Sequence, residues 1–256
     1  MITRLDKKEW SMIVPFLKEN ILENYFNILG LVSEKEIYED IYVQHDKDEK
    51  IVSVLFIRKS GTLKFYAPSS FDYIEISNFL GTINFKNLIG PNSYCSLIKT
   101  KNILTKSKKL TELCHLKSYK ELETNYSEDI CLIEFNELYK VIEIYNETFK
   151  SFASIDVLQQ RILTSRGRIV GIYDNSRLVS VAGTDFETDN ASLIVGVATI
   201  PEHRNKGYAT KLVKYLSNIL QNENKQVFLE YENPIAGKIY KDIGYCIVDS
   251  VYKYWD

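Results

Sequence analysis

VATIPEHRNKGYATKL (197–212) decides how this chain folds and what it can bind. An apolar run, LIVGVATI (193–200), leads into it, and an amphipathic one, GYATKLVKYLSNIL (207–220), leads out. The first predicts a strand within 191–200, buried on both faces. The second sets Ala209, Leu212, Val213, Leu216, Ile219 and Leu220 on one helical stripe. Between them stands Arg204-Asn205-Lys206-Gly207-Tyr208-Ala209, of the form R-x-x-G-x-A. Given the chain's Arg, Gly and Ala content, R-x-x-G-x-G/A should arise by chance only about 0.02 times. A turn between strand and helix aims successive backbone N–H groups at one point, at the positive end of the helix dipole. Such a nest binds a diphosphate without needing side-chain charge. Gly207 lets the backbone approach a ligand and accepts positive φ. Ala209 is small enough for a bulky ligand to pass over the first turn, and Arg204 and Lys206 add charge. A bare tight turn would also explain Gly207, but the strand–turn–helix setting favours an anion site. No G-x-x-x-x-G-K-S/T occurs, nor a G-x-G-x-x-G after a strand, so the expected anion is neither a nucleoside triphosphate nor a dinucleotide.

Outward from this turn the second half reads as an α/β unit with a mixed sheet. DICLIEF (129–135) suggests a strand, and NELYKVIEIYNETF (136–149) puts Leu138, Val141, Ile142, Tyr145 and Phe149 on one helical face. A second helix is expected at about 155–165. RIVGIYD (168–174) and LVSVAGTDF (178–186) flank Asn175-Ser176 as a hairpin. QVFLEYE (226–232) is a strand, a short helix brings Ile235, Ala236, Ile239, Tyr240 and Ile243 into register, and a last strand covers 245–254.

The first half repeats this order faintly. Helices are expected within 6–30, interrupted near Pro15, then strands at 38–45, 51–59 and 62–67 and a helix at 71–80. That suggests a degenerate internal copy, although no sequence identity supports it. KSYKELETNYSED (117–129) is polar and short of large aliphatics, so two domains are expected, 1–120 and 121–256.

The 256 residues are 45% hydrophobic and 26% charged, which supports a real core and excludes a disordered chain. No apolar run approaches a membrane span and MITRLDKKEW is no signal peptide, so a soluble, cytoplasmic protein is expected. Cys95, Cys114, Cys131 and Cys246 show no metal-ligand spacing and read as reduced, mostly core thiols. His45, His115 and His203 are scattered, and no metal is expected; Cys114 and His115 read as a buried strand pair. Residues 1–120 carry 18 Lys and Arg against 14 Asp and Glu, and residues 121–256 carry 14 against 20. The acidic second half favours a cationic partner. The basic cluster KTKNILTKSKK (99–109) could touch phosphate backbones, but no aromatic platform accompanies it. A solvated loop explains it better, and nucleic acid is not the expected partner.

Residues 191–245 resemble the core of the GNAT superfamily of acetyl-CoA-dependent N-acetyltransferases, whose signature is Q/R-x-x-G-x-G/A between the fourth strand and the third helix. The stretch 129–256 follows that family's element order, and NPIAGKIYKDIGY (233–245) is similar to its second motif. The resemblance implies acetyl-CoA as co-substrate, with pyrophosphate on the amides of about Asn205, Lys206, Gly207, Tyr208, Ala209 and Thr210. It implies pantetheine paired with the strand edge at Val197, Ala198 and Thr199, where two strands splay apart. It also implies direct transfer to a small-molecule or peptide amine in a ternary complex.

Asn233-Pro234 is explained as a helix start, and a ligand contact from Asn233 rests on the resemblance alone. Tyr240 matches the family's motif as the acid that protonates the departing thiolate; read structurally, it is a core aromatic. Glu230 is the chosen general base, ahead of Glu232, Asp185 and Glu187. In the first half the corresponding turn, SSFDYIEIS, lacks the glycine and carries Asp72 and Glu75, so that half is expected to bind no CoA. Tandem proteins with a degenerate front copy resemble glycine N-acyltransferase-like proteins. A non-catalytic acyl-CoA-binding regulator is the alternative function, and a homodimer is left open.

Overall fold

The structure, a computed structural model, describes residues 1–33, 35–68, 70–98, 104–117, 130–149 and 153–256. The chain divides into two compact units, Met1–Leu113 with Ile247–Asp256, and Cys114–Cys246. Beyond Lys117, the polar stretch 117–129 lies outside the described residues, as do residues 99–103 of the basic cluster.

The first unit holds β1 (Ile2–Arg4), α1 (Val14–Leu17), α2 (Ile21–Ser33), β2 (Tyr38–His45), β3 (Ile51–Arg58) and β4 (Thr62–Tyr66). It continues through α3 (Tyr73–Leu80), β5 (Asn87–Pro91), α4 (Asn92–Ile98) and most of β6 (Lys106–Leu116). Pro15 does not break a long helix; it sits in the first turn of α1, where its missing N–H costs nothing, with 3-10 turns on either side. β2, β3 and β4 form an antiparallel meander, and β5 runs parallel to β4. Residues 106–109 are exposed strand rather than the expected loop.

The second unit repeats this order. It runs through β7 (Ile130–Leu132), α5 (Leu138–Thr148), α6 (Ile155–Leu163), β8 (Ile169–Asp174), β9 (Arg177–Asp185) and β10 (Ala191–Thr199). α7 (Tyr208–Asn222), β11 (Gln226–Tyr231) and α8 (Pro234–Ile243) follow, and β12 (Tyr245–Trp255) begins here. From Ile247 onward β12 belongs to the first unit, where it pairs antiparallel with β5 from Val251↔Pro91 to Tyr254↔Leu88. The fold class is α/β with a mixed sheet, and β11-β10-β9-β8-β7 is the strand order of the second unit. β8 and β9 turn through Asn175 and Ser176, both at positive φ (48° and 65°), the geometry whose twist suits a two-residue hairpin.

α7 packs its stripe into the core, where Leu212, Val213, Leu216 and Leu220 are fully buried with Val179, Val181 and Ile169. Each such side chain contributes about 1.5–3 kcal/mol. Helical phase differs from expectation on two helices. On α5, Ile144 is buried while Ile142 and Phe149 are only partly so. On α8, Ile235 is 75% exposed, because it lies in the first turn beyond the sheet's cover. The thiols are less uniformly internal than expected: Cys95 and Cys114 are buried, Cys131 is half-buried and Cys246 exposed.

Candidate active site

β10 and β11 pair in parallel from Ala191↔Gln226 to Ile194↔Leu229, and there the pairing ends. A bulge causes the parting. Gly196 takes φ 61°, and the register of β10 on β9 shifts between Val195 and Ala198. A bulge bends the strand and increases its twist. Beyond it, among the described residues, Ala198 and Thr199 pair only toward β9, opposite Val181 and Ser180, and β11 does not pair with Val197, Ala198 or Thr199. An isolated Gly in an apolar strand pattern is the sequence signal for such a bulge.

The turn that follows is braced from several sides. The Arg204 guanidinium does not simply add charge: its Nε donates to the Thr199 carbonyl at 3.1 Å and ties the two ends of the turn together. Ser180 Oγ donates to the Ala198 carbonyl at 3.1 Å and lies 2.8 Å from Thr199 Oγ1. His203 Nε2 lies 2.9 Å from Asp174 Oδ2, and its ring stacks on Tyr208, the first residue of α7. Asn205 (φ 63°) and Gly207 (φ 81°) are both left-handed. Gly207 is the N-cap position of α7, and no side chain caps the helix. The amides of Tyr208, Ala209 and Thr210 therefore lack intrahelical acceptors. A Cβ at Gly207 would meet nothing within 4 Å, so the space before these donors is open. Lys206 is exposed beside it. A pyrophosphate fits this cradle on charge and room alike.

α8 starts at Asn233, whose Oδ1 accepts from the Ile235 amide at 2.9 Å, with Pro234 next; the cap reading accounts for that oxygen. One turn on, Gly237 lies against the Tyr231 ring, where a Cβ would come within 2.7 Å of Oη. Tyr240 is 7% exposed, and its ring lies 5.7 Å from that of Tyr231 and 6.1 Å from that of Tyr245. Burial, with Cys114 second, pushes its pKa up to about 12, so it stays a proton donor throughout the neutral range. Tyr245 is committed elsewhere, 2.7 Å from Ser217 Oγ.

Of the carboxylates, Glu230 precedes Tyr231 on β11 and so faces the other side of the sheet. Asp185 and Glu187 are tied up. Asp185 pairs with Arg161 (3.1 Å) and Arg166, while Glu187 pairs with Arg168 and Lys225 (3.0 Å). Asp185 also stands opposite Leu193, at the far end of β10 from Thr199. Among the described residues no group of three or more His, Cys, Asp and Glu could hold a metal ion.

The equivalent place in the first unit is filled by the chain itself. Asp72 Oδ1 accepts from the amides of Ile74 and Glu75, both at 2.9 Å, so α3 carries its own anion. The pairing of β4 with β5 ends at Lys64↔Ile89, and the next carbonyl, Phe65, lies 3.3 Å from the Tyr94 hydroxyl.

Residues 130–248 match the family described as Acetyltransferase (GNAT) domain. Solved structures extend the likeness in fold to the whole chain. A GNAT-family acetyltransferase from Colwellia psychrerythraea is 12% identical at a TM-score of 0.72, over 100% of this chain and 99% of that one. A GCN5-related N-acetyltransferase from Sphaerobacter thermophilus is 10% identical at 0.63, over 99% and 94%. A tandem GNAT protein from the clavulanic acid biosynthesis pathway is 11% identical at 0.61, over 99% and 97%. These likenesses make both units GNAT-like in fold. Among curated proteins none matches the chain. No helix among the described residues is long and apolar enough to cross a membrane.

Proposed function

We propose that this protein is an N-acyltransferase that moves an acetyl group from acetyl-CoA to an amine by direct transfer in a ternary complex. The observation that carries the proposal is the parting of β10 from β11 directly before an uncapped helix N-terminus. An open strand edge and a cluster of free amides, in that order, match the two amides and the pyrophosphate of a CoA thioester. Asn205 to Thr210 would hold the pyrophosphate; Val197, Ala198 and Thr199 would pair with pantetheine; Asn233 would stand at its flank. The coenzyme supplies an activated acyl group. Tyr240 keeps its proton at working pH and offers it where a thiolate must leave. Glu230 puts a carboxylate on the opposite face, suited to a cationic acceptor. The second unit would act alone on CoA in a cytoplasmic protein, with the first unit binding none.

Acetyl-CoA at 100 times its dissociation constant should stabilise the protein by about 2.7 kcal/mol, and ATP and NAD should not. Tyr240→Phe should lower kcat on an amine panel by about 10²–10⁴-fold and leave CoA affinity unchanged. Stabilisation by NAD or ATP in place of acetyl-CoA would defeat the assignment. Acetyl-CoA binding without turnover of any amine would make the protein a regulator.

A further inference from the structure

An amine that attacks a thioester must shed a proton on the side of the sheet away from the departing thiolate. Two strands fix which side chains are there. On β11, Tyr231 packs against Tyr240, so Phe228 and Glu230 face the other way. On β6, Cys114 is near enough to Tyr240 and Tyr245 to raise both phenols' pKa values, so the next residue, His115, also faces away from Tyr240. The His115 ring accordingly lies against that of Phe228 in a tilted contact, with centroids 4.8 Å apart and planes at 36°. Phe228 adjoins Leu229, the last β11 residue paired with β10, so His115 stands at the level where the strands part. The ring is half-buried. Burial first, and Lys117 second, hold its pKa below the ordinary 6.5, which leaves a neutral imidazole at pH 7.

We propose that His115 is the general base of this site, paired across the sheet with Tyr240 as the acid. This rests on the acyltransferase function proposed above. The amine nitrogen forms its bond to the acyl carbon as the carbon–sulfur bond breaks. The amine's proton goes to the free nitrogen of His115, and the sulfur takes the Tyr240 proton. Solvent then carries a proton from the imidazolium to the phenolate, so charge and atoms balance. Glu230, two residues beyond Phe228 on the same face, is left to hold the acceptor's ammonium group. The titratable groups nearest the face of His115 are Glu230 on β11, Lys117 just past the end of β6, and Cys246 on β12, one residue past Tyr245.

The test uses the full chain with acetyl-CoA and a panel of primary amines (putrescine, tyramine, lysine methyl ester), read by thiol release. His115→Gln should lower kcat by about 10²–10⁴-fold while the thermal shift with acetyl-CoA persists. Added imidazole should restore activity to His115→Ala, in proportion to its neutral form. The chain has three histidines, so ring NMR can titrate His115 directly; its midpoint should fall below 6.5 and coincide with the acid limb of kcat/KM. That limb should survive in Glu230→Gln, which serves even if no His115 variant folds. A His115→Gln enzyme within threefold of wild type, or an acid limb that vanishes in Glu230→Gln, would overturn the assignment and leave the acyltransferase standing. Bound acetyl-CoA with no amine acetylated would overturn both, and no acetyl-CoA binding at all would do the same.

Discussion

Asp174 and His203 meet across the approach to α7, Oδ2 to Nε2 at 2.9 Å. Asp174 ends β8, and His203 closes the 3-10 turn that leads to the residues proposed to bind pyrophosphate. The contact pins that turn to the β8–β9 hairpin, and the His203 ring in turn backs Tyr208. Loss of one such contact costs about 1 kcal/mol. Asp174→Ala should therefore raise KM for acetyl-CoA roughly fivefold and leave kcat unchanged, since neither residue reaches the reacting atoms. Steady-state kinetics at saturating amine would separate the two constants, and a fall in kcat at constant KM would contradict this role.

Gly207 has both a left-handed backbone and empty space in front of it. Gly207→Ala should cost about 1–2 kcal/mol in folding, the strain of φ near 80° for an L-residue, because the new methyl strikes nothing in the free protein. Coenzyme binding should suffer more, since the methyl enters the space before the amides of Tyr208 and Ala209. A drop of at least about tenfold in acetyl-CoA affinity is expected, beside a melting temperature lowered by only a few degrees. Equal losses in both would mean that Gly207 serves the turn alone.

The far end of the second unit should set its acid limit. The Arg168 guanidinium, hydrogen-bonded to Glu223, holds that carboxyl down to about 2, against 4.5 when unperturbed. Glu187 is also lowered; burial opposes this, but Arg168, Thr184 and Lys225 outweigh it. A depressed folded-state pKa stabilises above the unfolded value and is lost as pH falls through the folded one. The melting temperature should therefore decline between pH 4.5 and about 2. In Arg168→Met that decline should be shallower, starting from a lower plateau. Melts followed by circular dichroism across this range would decide it.

How much of this was legible in the sequence depends on which forces carried the signal. α7 and the strands around it were readable because burial imposes periodicity: Leu212, Val213 and Leu216 recur on one stripe whatever the partners are. R-x-x-G-x-A was readable because few residues tolerate the backbone of Gly207. Contacts between segments distant in sequence were not. Nothing local links Asp174 to His203, 29 residues on, or joins Arg204 to the Thr199 carbonyl. His115 reads as a strand residue between Cys114 and Leu116, and only strand order puts it on Phe228. Ile235 was misplaced because a helical stripe says which residues share a face, not where the opposing surface stops.

Under the proposed function, Asp72 should limit the chain to one coenzyme. In the first unit its carboxylate already satisfies the amides of Ile74 and Glu75, at the helix terminus equivalent to that of α7. A pyrophosphate would have to displace a charge of its own sign held by two hydrogen bonds, and the Phe65 carbonyl, past the last β4–β5 pair, already has the Tyr94 hydroxyl at 3.3 Å. Calorimetric titration should therefore give one acetyl-CoA per chain, and that one should be the site weakened in Gly207→Ala. Asp72→Ala should destabilise by about 1 kcal/mol, the worth of an N-cap, without creating a second site, since the glycine that opens the cradle in the second unit has no counterpart in SSFDYIEIS. A stoichiometry of two in the wild-type chain would show that the first unit's carboxylate yields to the coenzyme.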